Sequence, residues 1–166
     1  MNQARVKIRE YKQTDRKSIL AMMQEFTEYH WPINPFKKKN IDSKKVATYH
    51  TNKMIKYAKT NDGIIYVAQG DGNIIGFIGV WLKKQTYEDA LEEIPMTLGY
   101  INAVFVTENY RGSGIGRKLL NKAEQYFILK KCTHVTLHVY DYNVPSHEFY
   151  KKLGYIDWYI EMVKTL

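Results

Sequence analysis

The stretch Asn102–Leu120, NAVFVTENYRGSGIGRKLL, joins an apolar run to an amphipathic one through three glycines on alternate positions, Gly112, Gly114 and Gly116. The apolar run begins at Gly99 as GYINAVFV, a nearly continuous hydrophobic segment that predicts a central strand covered on both faces. Beyond the glycines, GIGRKLLNKAEQYFILKK carries Ile115, Leu119, Ala123, Tyr126 and Phe127 at helical spacing. A strand, a glycine turn and a helix start together make an anion site. The helix N-terminus offers unpaired N–H groups and a partial positive charge. Missing Cβ atoms at the three glycines let several amides converge on one phosphate. Arg111 and Arg117 flank the turn as candidate bidentate partners. The space suits a pyrophosphate.

Working outward, Arg5–Lys12 alternates Val6 and Ile8 with charged residues and predicts a strand. Thr14 or Asp15 then caps a helix with Ile19, Leu20, Met23, Phe26 and His30 on its apolar side. A second helix is predicted from Asp42 or Ser43, burying Val46, Tyr49, Met54 and Tyr57. Gly63–Lys83 is a strand–turn–strand unit around GDGN, and KQTYEDALEEIPMTL is a polar connection. After the glycine-turn helix, Thr133–Tyr140 alternates Val135, Leu137 and Val139 as a strand. VPSHEFYKKLG is a short helix with Pro145 in its first turn and Gly154 at its C-cap. YIDWYIEMVK alternates Ile156, Trp158, Ile160 and Met162 and is predicted to close the sheet. The elements describe a mixed α+β chain, and with no linker or repeat in view residues 1–166 read as a single domain.

Composition narrows the function classes. No apolar run approaches the roughly 18 residues of a membrane span, so no membrane partner is expected. The start, MNQARVKIRE, is charged and lacks an apolar core, and the single cysteine, Cys132, fits a reducing compartment, so a cytoplasmic location is expected. Five scattered histidines without paired Cys/His spacing predict no metal site. The formal charge of +8 admits nucleic acid or a polyanionic small molecule. A nucleic-acid binder needs a clustered basic stripe interleaved with aromatics. Here the lysines are dispersed, with one knot at FKKKN (Phe36–Asn40) that solvation explains, so nucleic acid is not expected.

Spacing decides which pyrophosphate ligand fits. From Gly112, a dinucleotide fingerprint or a phosphate-binding GxxxxGK loop needs glycine at 117, where Arg117 stands. The stretch instead satisfies (R/Q)-x-x-G-x-(G/A) as Arg111-Gly112-Ser113-Gly114-Ile115-Gly116. Downstream, LHVYDYNVPSHEFYKKLGY supplies Asn143, then Phe149-Tyr150, then Leu153-Gly154-Tyr155. In these motifs, and in its order of elements from first strand to last, the chain resembles the GNAT superfamily of N-acetyltransferases, which use acetyl-CoA.

The resemblance implies an α+β fold with a mixed central sheet, a splayed parallel strand pair and about four flanking helices. It implies that coenzyme A is held by Val104, Phe105 and Val106 of the strand, by Arg111, Gly112, Ser113, Gly114, Ile115, Gly116 and Arg117 of the turn, and by Asn143 and Ser146. The backbone left unpaired by the splay would bind pantetheine amides as a substitute strand, and an N–H near Val106 would polarise the thioester oxygen. Asn143 also suits a helix cap, and both roles are compatible. By the same resemblance Tyr150 is the general acid for the departing thiolate, and acyl transfer is direct, without a covalent acyl-enzyme.

The general base stays unassigned. Relatives carry a Glu on the glycine-turn strand, whereas this strand has Tyr100 and Asn102. Glu92, Glu93 and His138 are weighed and left open, and Glu108 lies beside the phosphate turn. The expected acceptor is a primary amine, small in preference to a protein amine, gripped by Tyr29, Trp31, Tyr87, Trp158 and Tyr159 together with Glu88, Asp89, Glu92 and Glu93. A homodimer paired through the C-terminal strand is a further expectation. The rival within the same fold is a CoA-binding sensor without turnover.

Overall fold

The structure is a computed structural model that describes residues 6–32, 34, 36 and 41–166. The lysines of the FKKKN knot lie outside the described residues. The chain runs β1 (Lys7–Glu10), α1 (Arg16–His30), α2 (Ser43–Thr60), β2 (Ile64–Gly70), β3 (Asn73–Lys83), α3 (Tyr87–Glu92), β4 (Leu98–Val106), α4 (Ile115–Leu129), β5 (His134–Leu137) and α5 (Val144–Lys151). Short 3₁₀ turns precede α1 and follow β4. The strands form one sheet in the order β1-β2-β3-β4-β5, antiparallel except for the parallel pair β4–β5. Among the described residues no helix is long and apolar enough to cross a membrane.

Each face of the sheet carries its own core. On one face α1 and α2 bury Ile19, Met22, Met23, Ala47 and Met54 against Val67, Phe77, Trp81, Ala103 and Phe105. On the other, α4 buries Ile115, Leu119, Leu120, Ala123 and Phe127 against Ala68, Ile78, Val80 and Ile101. Strands covered on both faces must be apolar throughout, which explains the unbroken hydrophobic runs of β3 and β4. The helices sit close to the sheet because two glycines admit them. A Cβ on Gly99 would lie 2.5 Å from the Phe127 ring, and one on Gly79 would meet the Met54 thioether.

Three expectations are corrected. α2 is rotated on its axis, burying Ala47, Thr51, Met54 and Ala58, while Tyr49 and Tyr57 are exposed. Small residues, together with Met54 against Gly79, allow closer approach to the sheet than a row of phenols would. The polar connection before β4 contains a fifth helix, α3, whose Thr86 and Asp89 side chains cap each other's backbone reciprocally. The predicted C-terminal strand is not formed: residues 155–166 pair with no strand, and Ile156, Ile160 and Met162 are 81–90 % exposed. Alternation tells which face a strand would bury, but forming the strand needs a free edge and a surface to cover.

Candidate active site

The glycine turn is built as a strand-to-helix switch. After β4, a turn at Glu108–Tyr110 redirects the chain, and Gly112 and Gly114 take positive φ values of 74° and 82°. Side chains other than glycine are strained there, and a Cβ at either position would meet nothing within 4 Å. The backbone at those two glycines is therefore exposed and open to approach. Gly114 caps α4, whose first intrahelical bond runs from the Lys118 N–H to the Gly114 carbonyl at 3.1 Å. The amides of Ile115, Gly116 and Arg117 are thus without helical acceptors, at the positive end of the α4 dipole. No acidic residue occupies that first turn, and Arg117 is exposed within it.

Gly116 serves a different purpose. A Cβ there would sit 3.4 Å from the Phe149 ring of α5 and 4.0 Å from Val106. Its absence lets the start of α4, the end of β4 and α5 come together, which carries Tyr150 to the same place. The Arg111 side chain turns away from the glycine turn. Its Nε donates to the Val106 carbonyl at 3.0 Å, its guanidinium lies over Phe105 and Tyr29, and Glu25 of α1 is 3.8 Å away. Ser113 Oγ donates to the Tyr110 carbonyl and so holds the turn.

A wedge opens beside β4. β5 pairs with it only from Leu98↔His134 to Ile101↔Leu137, while β4 continues to Val106. Within β4, Asn102 is an extra residue, since the register with β3 steps from Val80↔Ile101 to Gly79↔Ala103. This bulge places Tyr100, Ala103 and Phe105 on the α1/α2 face and Ile101, Val104 and Val106 on the α4 face. Thr107 N–H reaches the Ile75 carbonyl at 3.0 Å, so hydrogen-bonded pairing with β3 falls on Thr107, Phe105 and Ala103. The backbone groups of Val104 and Val106 then aim at the opposite edge, into the wedge. There the Val106 carbonyl already accepts from Arg111.

Asn143 and Tyr150 come from α5. Asn143 is the N-cap residue, yet its side chain makes no capping bond. It is 4 % exposed and its Oδ1 has no hydrogen-bond partner. Backbone carbonyls and amides hold this end of the helix instead, with Ser146 and His147 N–H both donating to the Asn143 carbonyl. An amide oxygen buried without a partner is expensive to keep, and a water or a ligand donor would complete its bonding. Tyr150 packs between Phe149 and Tyr155, and burial pushes its phenol up to about 12. Tyr155 donates to Glu124 of α4 at 2.9 Å and so fixes the helix that carries Tyr150.

On the α1/α2 face an aromatic row leads to the same wedge. Tyr57 stacks on Trp81 at 5.3 Å, Trp81 meets Tyr100 at 5.3 Å, and Tyr100 meets His138 at 5.7 Å. Of the aromatics expected to grip an acceptor, Tyr159 reaches this row, whereas Tyr87 is 76 % exposed and Tyr29 lies under Arg111. Two acidic residues of the connection are occupied locally. Asp89 caps α3, and Glu93 accepts from Gln85. Trp81 was missed as a site residue because its strand reads as uniform core.

The residues present fit an acyl-CoA. Amides at a helix start suit a diphosphate, an unpaired strand edge suits the two amides of a pantetheine arm, and the Asn143 oxygen needs a donor. The chain is similar to several known proteins. An uncharacterized N-acetyltransferase of Methanocaldococcus jannaschii is 29 % identical over 110 residues, covering 66 % of this chain and 63 % of its own length. A Bacillus halodurans crystal structure, determined as a mutant, superposes with a TM-score of 0.82 at 20 % identity, over 96 % of this chain and 99 % of that one. An aminoglycoside N-acetyltransferase in complex with CoA gives a TM-score of 0.72 at 15 % identity, over 98 % and 95 %. The family model described as "Acetyltransferase (GNAT) family" matches residues 22–155, from the middle of α1 to the end of the α5 turn. The chain belongs to the acetyltransferase (GNAT) family.

Proposed function

We propose that the protein transfers an acetyl group from acetyl-CoA to a primary amine. The observation that carries this is the wedge, where β4 outruns β5 and leaves the Val104 backbone groups and the Val106 N–H open ahead of a glycine turn, with the Asn143 oxygen also without a partner. Acetyl-CoA, when bound, supplies an activated thioester and an anionic handle. The amides of Ile115, Gly116 and Arg117 hold the diphosphate, with Gly112 and Gly114 supplying the positive-φ backbone that turns the chain into the helix start. Val104 and Val106 pair with the pantetheine amides, and an N–H of this edge is placed to polarise the thioester oxygen.

Tyr150 faces the departing sulfur in this reading. A phenol held near 12 stays protonated across the neutral range and is always ready to donate. Complete transfer to a thiolate whose own pKa is near ~8.5 is uphill, so its contribution is donation that grows as charge develops on sulfur. The acceptor is a small amine whose cation meets the Tyr57–Trp81–Tyr100 row, an arrangement suited to cation–π attraction. A thiol-release screen of amine classes with acetyl-CoA, paired with calorimetry of CoA binding, tests the proposal. Turnover with at least one alkylamine is expected. CoA binding without turnover would favour the sensor reading, and absence of CoA binding would overturn both.

A further inference from the structure

We infer that His138 is the group that accepts the proton from the attacking ammonium, an inference that rests on the acetyl-transfer reading above. β4 carries no carboxylate between Leu98 and Val106, and an alkylammonium at neutral pH holds its proton firmly, with a pKa near ~10.4 for lysine. His138 follows the last paired residue of β5, Leu137, so it stands level with the Asn102 bulge where the two parallel strands part. That level lies two residues short of Val104, about 7 Å along a strand. The imidazole therefore borders the mouth of the wedge from the strand opposite the open backbone edge.

The contacts of the ring fix its side of the sheet. Nδ1 lies 3.5 Å from the Tyr100 hydroxyl and Nε2 lies 3.4 Å from the Tyr159 hydroxyl. Tyr100 belongs to the core under α1 and α2, whereas Tyr150 packs with the core under α4 and α5. The two proton-handling groups are thus on opposite faces of the wedge. In the tetrahedral adduct the amine nitrogen and the sulfur are two substituents of one carbon, so a group on each face can serve one of them without competing for the other proton. The aromatic row Tyr57–Trp81–Tyr100 ends at His138, so a cation that follows it arrives at the imidazole.

The two phenol contacts are at the long limit for hydrogen bonds. They orient the ring without firmly occupying it, and the unprotonated nitrogen is open to a closer donor. The titratable groups that face the ring are Tyr100 from β4 and Tyr159 from the C-terminal segment. Burial holds the Tyr100 phenol above its ordinary value, so it remains a neutral neighbour. In the step itself an ammonium N–H bond breaks, its electron pair stays on nitrogen, and the proton goes to the imidazole lone pair. Because the His138 side is exposed, the imidazolium returns that proton to water.

The test compares His138→Gln with wild type on the best alkylamine from the screen and on its 2,2-difluoro analogue, whose ammonium is a stronger acid. His138→Gln is expected to lower kcat/KM for the parent amine by ~10²-fold or more, and much less for the fluorinated one, with CoA affinity unchanged. In parallel, without acetyl-CoA, the His138 Cε1–H signal, assigned by its loss in the variant, is expected to shift in NMR spectra when the amine is added. Equal losses for the two amines, or an unmoved signal, would overturn the assignment while leaving acetyl transfer intact. A wild type inactive on every amine would instead remove the reading on which it rests. His138 is exposed and its replacement opens no buried cavity, and Tyr159→Phe gives a second variant with a smaller loss of the same pattern.

Discussion

Asn143 precedes one short helix and Tyr150 lies near its other end, and the two carry different expectations. Tyr150→Phe keeps the ring that packs on Phe149 and Tyr155 and removes only the hydroxyl. It is expected to lower kcat by roughly 10²-fold while CoA affinity in calorimetry stays within a factor of about two. Equal losses in both would show that the hydroxyl serves binding alone. Asn143→Ala should behave in the opposite way. Its Oδ1 has no partner to lose in the free protein, so the thermal midpoint should hold or rise. CoA affinity should fall by about 3- to 10-fold, the worth of one neutral hydrogen bond of ~0.5–1.5 kcal/mol. Both residues were legible in the sequence through their spacing. The orphaned state of the Asn143 oxygen was not, because a cap and a ligand contact share one residue type until the backbone around it is known.

At the scale of elements, two junctions decide whether the wedge keeps its shape. α4 lies on β4 at Gly99, where a Cβ would come within 2.5 Å of Phe127. Gly99→Ala is expected to destabilise by about 1–3 kcal/mol in urea unfolding, through overpacking rather than backbone strain. The second junction ties β1 to the start of α1. Arg9 donates to both carboxylate oxygens of Asp15, at 2.7 and 2.8 Å, and the Lys12 N–H adds a third bond. The Arg9 hydrogen bond, against the opposing effect of burial, holds the Asp15 carboxyl below its usual range. A carboxyl lowered by folding contributes stability that is full above its unfolded pKa, near ~3.9, and is lost as pH falls through the folded value. Asp15→Asn should therefore cost about 3–5 kcal/mol at pH 7 and progressively less below pH ~4, measured by urea unfolding across pH. The sequence offered Thr14 or Asp15 as the helix cap; that Asp15 is an ion-pair partner depends on β1 running alongside.

Among the described residues of the molecule, the C-terminal segment is exposed and has few ties to the rest of the fold. Asp157 is tied to α5 through His147 at 2.6 Å and Lys151 at 2.8 Å, and Tyr159 reaches His138. Beyond that point Met162, Val163 and Leu166 are exposed. Removing residues 161–166 is expected to leave the thermal midpoint within about 2 °C, since exposed residues change stability by less than ~0.5 kcal/mol. A larger loss that grows on dilution would mean that a second copy covers the segment.

What the sequence determined by itself was local. Turn chemistry at Gly112 and Gly114, apolar continuity through β4 and the spacing from Asn143 to Gly154 are properties of short stretches, and each carried its meaning before any packing was known. Tertiary structure decided the rest: which face of α2 is buried, that Gly116 serves Phe149, that Arg111 turns toward α1, and that no strand forms after Tyr155. These outcomes depend on neighbours distant in the chain. Periodicity records the face a segment offers; only the assembled sheet decides what is there to meet it.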